Sequence, residues 1–383
     1  MLKEVTRPVW GLDEFDKNIV TATHFGFTPV ATPKITEADF QIASHCEEHP
    51  HFDAVEKAAL IRHYNEHSFA DLPHPLGIVY RRPTIKKRLP GYSLHFIGAP
   101  TGIAEATLIR TSLSMLAEEG YKGLRLDLNC IGDKDSISAY ERELHNYVKK
   151  FGGDLSEPLR QSLKQDIWNL FKHEEEEALE FRSNAPSSIS YLTSQSRIHF
   201  KEVLEYLESL SIEFRIKPDL LGEKNHASHT VFAIRGFGKK AEEELTLGVG
   251  YRYSRLTRRF GMRKEIPMAG VTLFTTNEAE RKVYKTLPKP KFYLVQLGRE
   301  AKMKTLSILE LLRSHRISVH HFIGKDKLTA QLMAAEALGV SHLILIGHKE
   351  ALDGTATIRN MQTRAQDTIP METLPLYLKN ISL

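Results

Sequence analysis

The chain has 383 residues, a formal net charge of +4, 41% hydrophobic and 26% charged residues, and two cysteines. This is ordinary globular usage with room for two or three domains, and it argues against a disordered chain or a disulfide-stabilised secreted scaffold. No stretch approaches the length of a membrane span, and residues 1–5 lack the apolar core of a signal peptide. We therefore expect a cytoplasmic protein that does not associate with membranes.

Residues 1–287 alternate short strand-like runs with helical segments. The pattern predicts a helix over residues 104–119 and a strongly helical stretch over about 136–181, interrupted at Gly152 and Gly153. Pro288 and Pro290 predict a short, stiff linker. We place the domain boundary there, with one domain at 1–287 and a second at 288–383.

The second domain reads as a compact α/β unit with a mixed sheet. The Asp353-Gly354 pair is a turn signal between its third and fourth predicted strands. Hydrophobic periodicity predicts strands at 292–297, 318–323, 342–346, 355–360 and 363–369, and helices at 300–315 and 325–338.

Positive charge is concentrated in this second domain. Residues 288–383 contain 13 Lys and Arg against 8 Asp and Glu, whereas the remainder contains 39 against 40. Each lysine alone is typical of a solvated surface, but the asymmetry between domains favours a polyanionic partner.

Metal and phosphate motifs are weak. His45, Cys46, His49 and His51 lie close together, yet the chain has neither a Cys-x-x-Cys nor an H-E-x-x-H motif, so we predict no metal site. No Walker A sequence occurs, and the glycines at 236–238 and 248–250 are typical of hairpin turns.

A set of segments in chain order carries a resemblance. Residues 128–133 are similar to L-N-S-L-G-D, residues 185–232 follow a pattern from D-A-P through H-F to T-V-F, and residues 250–256 are similar to G-G-R-Y-D-G-L. Residues 292–304, 324–331 and 346–360 look like an anticodon-binding domain. Together they resemble histidyl-tRNA synthetase, a class II aminoacyl-tRNA synthetase.

The resemblance implies an α/β (α+β) fold. Its parts are an antiparallel class II sheet core, a helical insertion at about 136–181 and a C-terminal α/β anticodon-binding-like domain. It also implies a homodimer, because Pro33 falls in the first class II motif, which the family uses at its subunit interface. The clustered positive charge of the second domain supplies the candidate RNA-binding residues, Lys302, Lys304, Lys325, Lys327, Arg359 and Arg364.

The family's catalytic motifs are degraded in this chain. R-E-F-H-Q-x-G aligns with residues 92–98, which keep His95 and Gly98 but lose the Arg, Glu and Gln. R-P-E-G-T aligns with residues 53–57, where Val55 replaces the glutamate, and R-G-L-D-Y-Y aligns with 222–227, where Gly222 replaces the arginine. The third motif, at 270–277, loses its arginine unless a local insertion brings in Arg281.

Adenylate formation brings a carboxylate against an ATP phosphate, so positive charge and preorganised donors must offset the developing charge. Removing one such donor costs roughly 10²- to 10³-fold in rate. We therefore expect a paralogue without aminoacylation activity and without a cofactor, which binds tRNA or another structured RNA in a regulatory or accessory role.

Two alternatives remain open. A divergent but active histidine–tRNA ligase would use ATP and Mg²⁺, with Arg81, Arg88 and Arg252 as candidate catalytic groups. A dimeric scaffold or regulatory subunit would instead bind a protein partner. A residual ligand pocket is predicted around His95, His226, His229 and Tyr253.

Overall fold

The computed structural model describes residues 14–43, 54–66, 69, 74–82, 90–223, 225, 227–238, 243–260, 262, 264–275, 283–287, 289–322, 324 and 327–381. These residues form a large sheet of eight strands, a smaller sheet of five strands and a two-stranded antiparallel pair of residues 15–16 with 283–284. Helices cover the two larger sheets. None of their helices is both long and apolar enough to cross a membrane.

The first part of the chain builds the large sheet and its helices. Its elements in order are β1 (Phe15–Asp16), α1 (Lys17–His24), β2 (Thr28–Pro29), α2 (Glu37–Ala43), α3 (Ala54–Glu66), β3 (Leu76–Arg81), β4 (Gly91–Ile97), α4 (Ile103–Glu118), β5 (Lys122–Gly132), α5 (Lys134–Phe151), α6 (Glu157–Gln165), α7 (Glu176–Ser183), α8 (Ser194–Ser209), β6 (Phe214–Ile216), β7 (Ser228–Phe237), β8 (Leu245–Arg252), α9 (Leu256–Arg259), β9 (Met268–Phe274) and β10 (Val283–Tyr284).

Within the described residues the large sheet has the strand order β2-β3-β4-β9-β8-β7-β5-β6. Its neighbours are antiparallel except for β2 with β3 and β5 with β6. The large antiparallel core expected from the sequence is therefore confirmed.

Side chains alternate between the two faces of this sheet. On β4, Leu94 and Phe96 point into the hydrophobic core that includes residues of α1, α4 and α8, which defines the back face. Ile97 and Tyr251 belong instead to a second core with residues of α3 and α5, which defines the front face. Helix α3 and the insertion thus cover the front face.

The predicted helical insertion is confirmed as α5, α6 and α7. Asp133 begins α5 by accepting a hydrogen bond from the Ser136 N–H at 2.9 Å. The chain breaks at Gly152 and Gly153, as predicted, in a short 3₁₀ turn. The insertion has its own small core, which includes Leu155, Leu159, Leu163, Leu170 and Ala178.

The second sheet is formed by the end of the chain. Its order is β12-β11-β13-β14-β15, with β11 parallel to β12 and β13 and the remaining pairs antiparallel. The elements are β11 (Phe292–Gln296), α10 (Arg299–Ser314), β12 (Val319–His321), α11 (Leu328–Ala337), β13 (His342–Ile346), α12 (His348–Asp353), β14 (Thr355–Asn360), β15 (Gln366–Pro370) and α13 (Leu374–Asn380).

All five predicted strands and both predicted helices of this unit are confirmed, with ends that shift by a few residues. Sequence reasoning missed α12 and α13. Each spans about two turns or less, which is too short to show a clear period. Gly354 ends α12 in the left-handed conformation, with φ of 66°, where a Cβ would be strained.

Helix α10 docks the second sheet onto the back face of the first. Its Leu306 and Leu309 join the same hydrophobic core as Leu108 of α4. At the edge of this contact Arg110 forms an ion pair with Glu310 at 2.6 Å, and Arg313 pairs with Glu118. The C-terminal unit therefore lies on the side of the large sheet opposite the front face.

A buried ionic network fastens the back face to its helices. The Glu105 carboxylate is fully buried on α4 and accepts hydrogen bonds from Arg252 of β8 at 2.9 and 2.6 Å. The His199 Nε2 of α8 lies 2.7 Å from the same carboxylate. Burial disfavours the charge of Glu105, but Arg252 and His199 outweigh this effect and hold its pKa well below the usual range.

Arg252→Met should lower the free energy of unfolding by about 3–5 kcal/mol, because it leaves the Glu105 charge buried without its main partner. Urea unfolding measures this loss. Arg142→Met is the control, since the Arg142 side chain is 72% exposed, and it should change stability by no more than about 0.5 kcal/mol. Equal losses in the two variants would contradict a structural role for the network.

Candidate functional site

Helix α3 places two adjacent charged side chains against the front face. Glu56 and Lys57 are each only 2% exposed, although glutamate and lysine are almost never fully buried without partners. They occupy the positions that align with Gly and Thr in the R-P-E-G-T motif. Much larger side chains therefore fill this part of the face.

The Glu56 carboxylate is held by Arg82, which directly follows β3, and by Ser93 of β4. It accepts a hydrogen bond from the Nε of Arg82 at 3.1 Å, and a second from the Ser93 hydroxyl. Arg82 is itself buried, and its guanidinium lies 5.3 Å from the ring centroid of Phe274. The charges of Glu56 and Arg82 thus neutralise each other inside the protein.

Lys57 is stabilised by aromatic rings. Its ammonium lies 4.5 Å from the ring centroid of Tyr251 and 5.6 Å from that of Tyr253. Such contacts are favourable when the cation is removed from water. The charge of Lys57 is therefore directed into the protein.

His95 is fixed between two tyrosines. Its Nε2 lies 3.1 Å from the Tyr80 hydroxyl and its Nδ1 lies 2.7 Å from the Tyr253 hydroxyl. A neutral imidazole satisfies both contacts, donating at one nitrogen and accepting at the other. Complete burial, with the charge of Lys57 as a second cause, lowers the pKa of His95 well below its usual value. Gly270 is required opposite, because a Cβ there would collide with the His95 ring.

A cavity of about 370 Å³ remains beside this filled region, between the insertion and strands β5, β7 and β8. Glu223 lies in the wall of this cavity. Burial raises the pKa of its carboxyl group, although the positive charges of Lys172, Lys57 and Arg259 act to lower that pKa. The charged lining of the cavity is balanced, with Lys172, Arg182, Lys217 and Arg235 against Asp127, Glu174, Asp219 and Glu223.

The residues that the structure describes do not fit ATP on this face. A triphosphate needs a clear excess of positive charge and donors free to reach it. Arg82 is committed to Glu56, Lys57 faces aromatic rings, and in the cavity Asp127 binds Arg215 and Arg235 at 2.7 and 2.9 Å. We therefore derive no chemical step through ATP.

Two of the three candidate catalytic arginines lie on the back face. Arg81 donates to Asp16 at 2.9 Å, and Arg252 binds Glu105 as described above. Arg82, one position further along the chain, lies on the front face. Arg88 and Arg281 lie outside the described residues.

The predicted residual pocket is only partly assembled. His95 and Tyr253 come together on the front face. His229 instead packs against His199, with ring centroids 4.9 Å apart, and has a left-handed φ of 54°. Burial, followed by His199 and Arg252, lowers the pKa of His229 to about 4. His226 lies outside the described residues.

The predicted RNA-binding cations fall on two sides of the C-terminal sheet. Lys302 and Lys304 belong to α10, on the side that meets the large sheet. Arg359 pairs with Leu343 in the register of β14 and β13, so it shares the face that α11 covers only in part. Lys327 precedes α11, Arg364 is exposed in the turn before β15, and Lys325 lies outside the described residues.

Two other predictions concern oligomers and metals. Pro33 is buried within the single chain, and the homodimer stays a prediction. Among the described residues no group of three His, Cys, Asp or Glu side chains is arranged to hold a metal ion. The cluster at 45–51 lies outside those residues.

Sequence reasoning missed Glu56, Lys57, Arg82 and Ser93 as members of the site. A signal was present in the expected correspondence with the R-P-E-G-T motif, which sets Glu-Lys against Gly-Thr. Two large charged residues in place of two small ones indicate a filled pocket, provided that the helix is known to be buried there.

Comparison with known proteins finds relatives over most of the chain. A model of the anticodon binding domain matches residues 291–381. The histidine–tRNA ligase of Lactococcus lactis subsp. cremoris (strain SK11) is 27% identical over 326 residues, covering 81% of this chain and 75% of the ligase. The histidine–tRNA ligase of Bacillus velezensis is 26% identical over 337 residues, covering 84% and 79%.

A solved structure shows the same fold. The apo histidyl-tRNA synthetase of S. aureus gives a TM-score of 0.52 at 21% identity, covering 93% of this chain and 92% of that chain. The chain is thus similar to histidine–tRNA ligases over most of its length, shares the fold of a histidyl-tRNA synthetase, and carries a C-terminal region that matches the anticodon binding domain.

Proposed function

We propose that this protein is a histidyl-tRNA synthetase paralogue that binds tRNA, or a related structured RNA, without aminoacylating it. The observation that carries the proposal is the buried ion pair of Glu56 and Arg82, because Glu56 stands where the family motif has a small glycine. We also propose that the protein has a regulatory or accessory role in the cytoplasm.

The loss of catalysis rests on charge as well as space. Forming an adenylate concentrates negative charge between a carboxylate and a phosphate, and preorganised cations must already point at that position. Here the described front-face cations satisfy internal partners, and freeing Arg82 would leave Glu56 buried without its partner. The ion pair between Arg82 and Glu56 therefore stabilises the filled pocket and disfavours the binding of a ligand there.

RNA binding rests on the C-terminal domain. Its β14–β15 region presents Thr357, Arg359, Gln366 and Thr368 on one face, as the strand register shows. Exposed Lys327 and Arg364 add positive charge to the same unit. Such a cationic, hydrogen-bonding surface suits phosphates and unpaired bases. We also propose a homodimer, because Pro33 falls in the motif that the family uses at its subunit interface. A homodimer would present two such surfaces.

Reversing charge at Lys327, Arg359 and Arg364 together should weaken tRNA binding about tenfold or more, because each cation that meets a phosphate adds to affinity. The slope of log affinity against log salt should also fall by about one for each phosphate-binding cation that is reversed. Filter binding at several salt concentrations measures both quantities.

Lys349→Glu is the matched control, since this exposed lysine lies on α12, which packs with α10 on the other side of the sheet. It should leave affinity nearly unchanged. If the triple variant binds tRNA as tightly as the parent at every salt concentration, the proposed RNA surface is wrong.

Glu56→Ala should lower the free energy of unfolding by about 3–5 kcal/mol, because it leaves buried Arg82 without its counter-charge. Glu66→Ala, on the same helix with a side chain 50% exposed, should change it by no more than about 0.5 kcal/mol. Denaturant unfolding compares the two. A small loss for Glu56→Ala would mean that Glu56 is solvated and the pocket open, as an active ligase requires.

A further inference from the structure

The helical insertion carries an open groove that lies outside the front-face site. Helices α5 and α7 form an open groove of about 520 Å³, with Tyr147 and Phe151 on one side and Phe181 on the other. The Tyr147 ring lies 4.7 Å from the Phe181 ring and 5.3 Å from the Phe151 ring, measured between centroids. Phe151 is 54% exposed, so the groove presents an aromatic ring to solvent.

The charged residues of the groove are all acidic. Asp154, Glu177 and Glu180 line it, and no lysine or arginine among the described residues does. Glu177 is held by the Ser156 N–H and hydroxyl at 2.6 and 2.7 Å. Neither Asp154 nor Glu180 has a cation within ion-pair distance in the part of the chain that the structure describes. Two carboxylates at the rim thus remain available to a partner.

The aromatic side of the groove already contacts a cation. Lys150 places its ammonium 4.9 Å from the centroid of the Phe151 ring. Faces of exposed aromatic rings attract guanidinium and ammonium groups, and nearby carboxylates strengthen that preference. The same carboxylates repel phosphates, so the groove disfavours RNA.

We propose that this groove docks a basic segment of a partner protein, in which an apolar side chain contacts the aromatic residues and flanking arginines or lysines pair with Asp154 and Glu180. Charge complementarity identifies the partner's chemistry. This proposal goes beyond the proposed function, because the groove belongs neither to the C-terminal domain nor to the front-face pocket.

Fluorescence anisotropy of a labelled short peptide of arginines and leucines, titrated with the full chain, tests the proposal. We expect saturable binding that weakens as salt is added. The same peptide with glutamate in place of arginine should not bind. The double variant Asp154→Lys with Glu180→Lys should lose about tenfold or more in affinity, and Phe151→Ser should lose a comparable factor.

Glu208→Lys is the control, because Glu208 is exposed on α8, outside the insertion. Since Phe151, Asp154 and Glu180 are exposed, all variants should keep the parent's melting temperature. Absence of peptide binding to the parent, or an equal loss in the Glu208 variant, would overturn the proposal. Protection of α5 and α7 from hydrogen exchange by tRNA would also overturn it, because RNA would then occupy the groove.

Discussion

The burial of two adjacent charged side chains, Glu56 and Lys57, is the constraint on which the front face depends. A buried charge without partners destabilises the folded state, because nothing offsets the free energy of removing that charge from water. Glu56 is therefore matched by Arg82 and Ser93, and Lys57 by the rings of Tyr251 and Tyr253. Tyr253 in turn holds His95, whose ring leaves room only for glycine at position 270. The two buried charges thus belong to a connected set of contacts that extends across the face.

The two faces of the large sheet separate the parts of the protein. The back face holds the C-terminal domain through α10 and is fastened by the Arg252–Glu105 network, while the front face is closed by α3 and the insertion. The proposed RNA surface thus lies on the back-face side. The front pocket and the support of the C-terminal domain involve different side chains, so the proposed loss of catalysis is compatible with the proposed RNA binding. The groove of the insertion is a third, acidic surface, on the front-face side.

Much of the fold could be predicted because its long elements carry clear periods. The helix at 104–119 and the strands at 292–297 and 342–346 were predicted from alternation and spacing, and the structure confirms them. The site was predicted less well for a geometric reason. Successive residues of a strand point to opposite faces, so Arg81 and Arg82 differ in role although they are neighbours. Likewise, the cations on α10 and β14 look alike in sequence, but only the packing of helices shows that they lie on different sides.

The central claim is that the front face no longer activates histidine. Histidine-dependent exchange of pyrophosphate into ATP, measured on the full chain beside an active histidine–tRNA ligase, tests it most directly, because exchange requires adenylate formation and no RNA. The account predicts exchange at the background level of a reaction without protein. Exchange that rises with both histidine and protein concentration would contradict it and would show that the pocket opens to ATP despite the buried pair of Glu56 and Arg82.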